Sequence, residues 1–253
     1  MVDINLDLAE AFFFDYLRKK RAVENKTFNN YLGYLRTILN HLQKRDKAKS
    51  IPNPFLEIDY LPVEDSERHT PFTDEQMQMI KATILEKGDH QLFLFISFIY
   101  YTATRPEIET RKLQIKDIRQ NTIFIPGTRA KNNKGEHIEI PPGLEKLIVE
   151  HKLRNYPPDY YVFTSDQKPG PVHVGINYFY KRHRKLLNEL GITDPAYTLY
   201  GYKHTGAINL YKATKDIKLV QKQLRHSTSM QTDTYLRGLG AIRNEEVSKM
   251  PEW

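Results

Sequence analysis

From Leu6 to Leu42 apolar residues recur every three or four positions, first in "LAEAFFFDYLRKKR" and again in "TFNNYLGYLRTILNHLQKR". That spacing puts them on one face of an α-helix, so the stretch predicts two amphipathic helices. Asn25 or Thr27 is placed to cap the second. The pattern then stops. "SIPNPFLEIDYLPVEDSERHT" holds three prolines, several charges and no helical period, and it reads as a linker across residues 50–70. Two helices alone bury little surface, which leads us to expect that part of this first domain lies upstream of Met1.

Helical periodicity resumes at "TDEQMQMIKATILEKG", where Thr73 can cap and Gln76 follows three residues on. "HQLFLFISFIYYTAT" is apolar on every side, the pattern of a helix buried all round. "NTIFIPG" and "HIEIPPG" read as strands, the second alternating with period two. The basic, turn-forming "TRAKNNKG" between them predicts a hairpin. Helices are expected over Leu144–Arg154, Val174–Leu190, Gly201–Ala213 and Ile217–Leu224. The expected fold class is mainly α with a small β-sheet (α+β). A helical domain and linker fill residues 1–66, and a mostly helical domain with the short sheet fills 67–253.

Composition narrows the function. The chain has 253 residues, 40% of them hydrophobic, and no cysteine. Disulfides, thiolate metal sites and cysteine nucleophiles are excluded, and a reducing compartment suits such a chain. The N-terminus carries Asp3, Asp7 and Glu10 rather than a basic segment followed by an apolar one, so no signal peptide is read. The longest apolar run, Leu92–Tyr101, falls short of the roughly 20 residues that span a bilayer. A soluble, cytoplasmic protein with no membrane partner is expected. The net charge of +7 favours a polyanionic partner. Its distribution says more: residues 171–237 hold eleven Lys and Arg against four Asp and Glu, which is +7 in that segment alone.

The same segment ends in "LRHSTSMQTDTYLR", Leu224–Arg237, where His226 precedes Tyr235 by nine residues. The run between them is polar, has almost no apolar periodicity and reads as loop-like. With 16 tyrosines and 9 histidines in the chain, such a pair arises easily by chance. Three other pieces give it meaning. "YTATRPEIETRKLQIKDI" places Arg105 after the buried helix, with a glutamate nearby and an apolar-spaced helix beyond. Lys131 sits in the basic hairpin turn, with Lys134 as a rival. "TLYGYKHTGAINLY" carries Tyr200, Lys203 and His204.

In this order and spacing the four pieces resemble the tyrosine recombinase (phage integrase) family, over nearly the whole chain. The two N-terminal helices are similar to the latter part of that family's core-binding domain, and the rest to its catalytic domain. The resemblance implies Tyr235 as nucleophile, Arg105 as phosphate clamp, Lys131 as general acid and His226 as a donor to the phosphate. Glu109 matches the acidic position that orients the site. Metal-free strand cleavage needs these residue types: a hydroxyl to attack phosphorus, cations on the equatorial oxygens and a proton for the leaving oxygen.

The chain departs from the family twice. The usual His-x-x-Arg is Tyr200-x-x-Lys203 here. Lysine keeps the charge and loses the planar fork, and tyrosine cannot serve as a base near neutral pH. Tyr200 reads equally well as a core residue. Glu109 follows Arg105 by four residues rather than three, so either a one-residue bulge is expected there or Glu107 takes the role. His204 is expected to be a structural hydrogen-bonder.

The implied activity is site-specific recombination of double-stranded DNA for a mobile element, through a 3′-phosphotyrosine link. A two-domain clamp would be monomeric or weakly associated when free and a homo-tetramer on a Holliday junction, with accessory DNA-bending proteins as possible partners. No cofactor and no metal is implied. The alternatives are a catalytically impaired DNA-binding protein of the same fold and a type IB topoisomerase.

Overall fold

The computed structural model describes residues 4–45, 52–63, 69–130 and 133–242. The chain divides into two units, Met1–Ser66 and Glu67–Trp253.

In the first unit, helix α1 (Leu6–Glu10) starts where the Asn5 side chain accepts the Leu8 N–H at 2.9 Å. It runs on as wider π-helical turns over Ala11–Lys20. Helix α2 spans Asn25–Lys44. Neither expected cap is used: Glu24 holds the N-cap position without a side-chain capping bond, and the Asn25 amide donates to the Pro62 carbonyl at 2.8 Å. The apolar faces close on each other, with the Phe13 and Phe28 rings 4.9 Å apart and Leu17, Leu32 and Leu39 around them.

The expected linker is corrected over its described part, 52–63. It forms a 3₁₀ turn, Pro54–Glu57, and buries Phe55 and Ile58 in the same core. The Arg36 guanidinium donates to the carbonyls of Phe55 (2.8 Å) and Ile58 (2.5 Å). The Asn53 amide reaches Asn40 at 2.7 Å. Prolines break helical periodicity, but they leave the side chains free to pack.

In the second unit, α3 (Asp74–Glu86) begins at the expected capping box of Thr73 and Gln76. Helix α4 (His90–Thr102) buries nine of its 13 residues, close to what its all-apolar pattern predicts, with Phe93, Tyr100 and Tyr101 half-buried along one face. Strands β1 (Thr122–Ile125) and β2 (Glu136–Glu139) pair antiparallel, Thr122 opposite Glu139 and Ile125 opposite Glu136. Their Ile123, Ile125 and Ile138 point into the core. Helices α5 (Pro142–Glu150), α6 (Tyr178–Glu189), α7 (Leu199–Thr214), α8 (Ile217–Leu224) and α9 (Ser229–Gly238) follow. Helix α6 starts four residues later than expected because the Val174 carbonyl is held in a loop by Arg111, at 2.7 Å. Among the described residues no helix is long and apolar enough to cross a membrane.

Two contacts set the position of α7. Phe72 stacks on the buried Tyr202, ring centroids 4.4 Å apart. On the other face a Cβ at Gly206 would collide with the Tyr100 carbonyl, so only glycine lets α7 lie this close to α4. Ala103, Ala207, Val220, Leu224 and Leu236 then form a small core that fastens α8 and α9 to α4 and α7.

Candidate active site

Arg105 enters the site through a backbone device. Helix α4 ends at Ala103 in the left-handed conformation, φ 51°. The chain turns, and Arg105 opens a single π-helical turn, Pro106–Thr110. A π turn carries one residue more than an α turn, and this is the one-residue bulge that the four-residue spacing of Arg105 and Glu109 calls for. The longer apolar-spaced helix expected here is corrected. It is this turn and a separate 3₁₀ turn, Ile115–Asp117, because Leu113, Ile115 and Ile118 pack inward from irregular backbone.

The bulge aims Glu109 inward. Its carboxylate is fully buried; it accepts the Arg105 backbone N–H at 2.7 Å and the Arg105 Nη1 at 2.6 Å. Glu107 is exposed, so of the two glutamates it is Glu109 that reaches Arg105 from within the fold. A second arginine completes the pair: Arg225 donates Nη1 and Nη2 to the two Glu109 oxygens at 3.1 and 2.7 Å. Burial alone would raise the Glu109 pKa. The hydrogen bond and charge of Arg225, with those of Arg105, outweigh it and hold the carboxyl below its ordinary range. Glu109 is thus an anion clamping two cations.

Arg225 caps α8 in the left-handed conformation, φ 58°, an uncommon state for a residue with a side chain. That turn directs the next residue, His226, into the cleft. The His226 Nδ1 meets Thr232 Oγ1 at 3.1 Å. Burial, then Lys203, Arg105 and Arg225, push its pKa down to about 4.

The stretch from His226 to Tyr235 is corrected from a loop to mostly helix. Thr228 accepts the Gln231 N–H, and α9 begins one residue on. Tyr235 lies within α9. Its hydroxyl is 2.5 Å from His204 Nδ1. Its ring meets that of His226 edge-on, centroids 5.4 Å apart and planes at 89°. Burial, then Tyr200, raise the Tyr235 pKa well above the usual phenol range. His204 was expected to be a structural hydrogen-bonder, and its partner turns out to be the candidate nucleophile.

Helix α7 supplies the rest. Lys203 is only 3% exposed, with its Nζ 5.5 Å from the centre of the Tyr200 ring. Tyr200 stacks on His69 at 4.8 Å and faces His204 at 5.1 Å. It lies against the cleft rather than in the core. Burial raises its hydroxyl pKa.

Arg105, Tyr200, Lys203, His226 and Tyr235 line one open cleft of about 1080 Å³. Its described lining carries Arg105, Lys134, Lys203, Lys218, Lys222 and Arg225 against the single carboxylate Glu136. Lys131 lies outside the described residues; its rival Lys134 lines the cleft. Sequence reasoning missed Arg225, Lys218 and Lys222. The charge surplus of residues 171–237 was their signal, and nothing in it singled out Arg225. Such a surface can hold a phosphate diester and place a hydroxyl beside it.

The phage integrase family model matches residues 70–239. The chain belongs to the phage integrase family. It is 24% identical to the tyrosine recombinase of Pseudothermotoga lettingae, over 98% of this chain and 85% of that protein. It is 24% identical to the tyrosine recombinase XerC of Leptospira interrogans, over 94% and 75%. Among solved structures, the XerH site-specific recombinase bound to a palindromic difH substrate matches with a TM-score of 0.68 at 19% identity. That match covers 98% of this chain and 72% of that one. The Tn1549 transposon integrase in complex with transposon right end DNA matches at 0.70 and 16% identity, covering 92% and 80%. Membership makes this integrase-family chain a tyrosine-type recombinase, mainly helical with a two-stranded sheet.

Proposed function

We propose that the protein binds double-stranded DNA at a specific site, cleaves one strand per protomer through a 3′-phosphotyrosine on Tyr235 and reseals it to a new partner. The observation that carries this reading is the convergence of the Tyr235 hydroxyl with Arg105, Lys203 and His226 in one cationic cleft. Arg105 and Lys203 would hold the nonbridging oxygens as negative charge spreads in the transition state. Neutral His226 would donate a hydrogen bond there. Glu109 and Arg225 would fix Arg105 in place. Lys131, from the hairpin turn, would protonate the leaving 5′-oxygen, a role for which Lys134 is the alternative.

Exchange would run in a homo-tetramer through a Holliday junction, serving the integration or excision of a mobile element from the bacterial cytoplasm. It would need neither metal nor cofactor. A transposon integrase among the structural neighbours supports the mobile-element reading.

The test is covalent capture on a pool of nicked suicide duplexes with a randomised core. Wild-type protein is expected to form a complex that survives detergent, and the captured sequence then defines the substrate. Tyr235→Phe is expected to bind that substrate with unchanged affinity and form no covalent complex. Capture by the Phe variant, or none by the wild type, contradicts the reading.

A further inference from the structure

We propose that His204 is the base that takes the proton of the Tyr235 hydroxyl as it attacks phosphorus. The inference rests on Tyr235 being the nucleophile. Three observations carry it. First, the His204 Nδ1 lies 2.5 Å from the Tyr235 oxygen, the geometry a proton transfer needs. Second, neither neighbour can do the work. Tyr200 is a phenol and accepts no proton at neutral pH. His226 makes no hydrogen bond to the Tyr235 hydroxyl among the described residues; the two rings lie at 89° and its Nδ1 is engaged by Thr232. Third, His204 is held in place. It lies between Thr205, whose hydroxyl bonds the Phe72 N–H at 2.8 Å, and Lys203, and two residues before the Gly206 contact with α4.

The electrostatics fit a base at rest. Burial, then His69 and Lys203, lower the His204 pKa to about 4, so the imidazole is neutral at pH 7 and Nδ1 can accept. The raised Tyr235 pKa keeps its hydroxyl protonated while no substrate is present. A phosphate diester entering beside Lys203 supplies the negative charge that offsets the repulsion on a protonated His204.

The step then balances. The Tyr235 oxygen forms a bond to phosphorus and its proton passes to His204 Nδ1, giving an imidazolium. The P–O5′ bond breaks; the oxygen leaves with the electron pair and takes a proton from the general acid of the cleft or from water. On resealing, His204 returns its proton to Tyr235.

The experiment uses the full chain and the substrate defined by wild-type capture, in two forms: the natural duplex, and one with sulfur in place of the bridging 5′-oxygen. A sulfur leaving group needs no proton, so it bypasses the acid and leaves the base exposed to measurement. His204→Asn keeps an acceptor near the Nδ1 position and cannot take the proton. It is expected to slow single-turnover cleavage about 10²- to 10³-fold on both duplexes, with DNA affinity unchanged. His204→Ala is expected to be slow on both and to regain roughly tenfold with added imidazole. Wild-type rates for His204→Asn overturn the proposal. So does a deficit that the sulfur substrate erases, which would make His204 an acid, or an Ala variant that imidazole leaves unmoved. If the wild type itself forms no covalent complex, it is the nucleophile reading that fails.

Discussion

The two walls of the cleft are built on opposite electrostatic plans. On one, Arg105 and Arg225 share the carboxylate of Glu109, every charge is present before substrate arrives, and the pairing lowers the Glu109 pKa. On the other, Tyr235 and Tyr200 line the cleft, His204 bonds the Tyr235 hydroxyl, and all three are neutral; burial moves the tyrosines up and the histidine down, away from ionisation. The first wall is ready for a phosphate at all times. On the function proposed above, the second withholds its nucleophile until a phosphate changes the local field. That reading lets a tyrosine attack DNA without being a thiolate-like, permanently reactive group: the cations are preorganised and the hydroxyl is not.

The comparison breaks most severely at Glu109. Glu109→Ala takes the two short bonds from Arg225, whose side chain is 5% exposed, and leaves this buried cation the longer ion pair to Glu136 at 3.9 Å. The expected cost is about 3–5 kcal/mol of stability, read as a lower midpoint in urea unfolding, together with loss of cleavage as Arg105 loses its anchor. Unchanged stability would mean that the first wall is not held by this carboxylate.

A smaller effect sharpens the role of Lys203, which shares helix α7 with Tyr200 and His204. Lys203→Ala is expected to slow single-turnover cleavage about 10²-fold, the loss of one preorganised donor, with folding intact. Lys203→Arg decides what the pocket is shaped for. A rate equal to or above the wild type means that the cleft still fits a guanidinium fork. A slower rate means that it has adapted to lysine. An unchanged rate for Lys203→Ala removes Lys203 from the site.

What could be read from the sequence follows from where each signal lives. Helix α8 falls on the expected Ile217–Leu224, and the α3 capping box is where Thr73 and Gln76 put it, because periodicity and capping are local. Helix α9 was misread as loop since only Thr232 and Leu236 of its residues are buried, an i, i+4 pair too narrow to show as a stripe. The buried strap at 52–63 was hidden because prolines erase the period while Phe55 and Ile58 still pack. Arg225 was invisible for another reason: an arginine in a polar run looks solvated until a partner 116 residues away is brought to it. The family pattern supplied Arg105, His226 and Tyr235. It could not supply the bond between His204 and Tyr235, which depends on how α7 and α9 meet.

The most direct measurement of the central claim is to locate the DNA on the protein. Trypsin should cut the covalent complex after Arg225 and Arg237 and release the peptide His226–Arg237, whose only tyrosine is Tyr235. Mass spectrometry of a nuclease-trimmed complex is predicted to find the nucleotide on that peptide. A nucleotide on any other peptide, such as the one carrying Tyr200, would contradict the account.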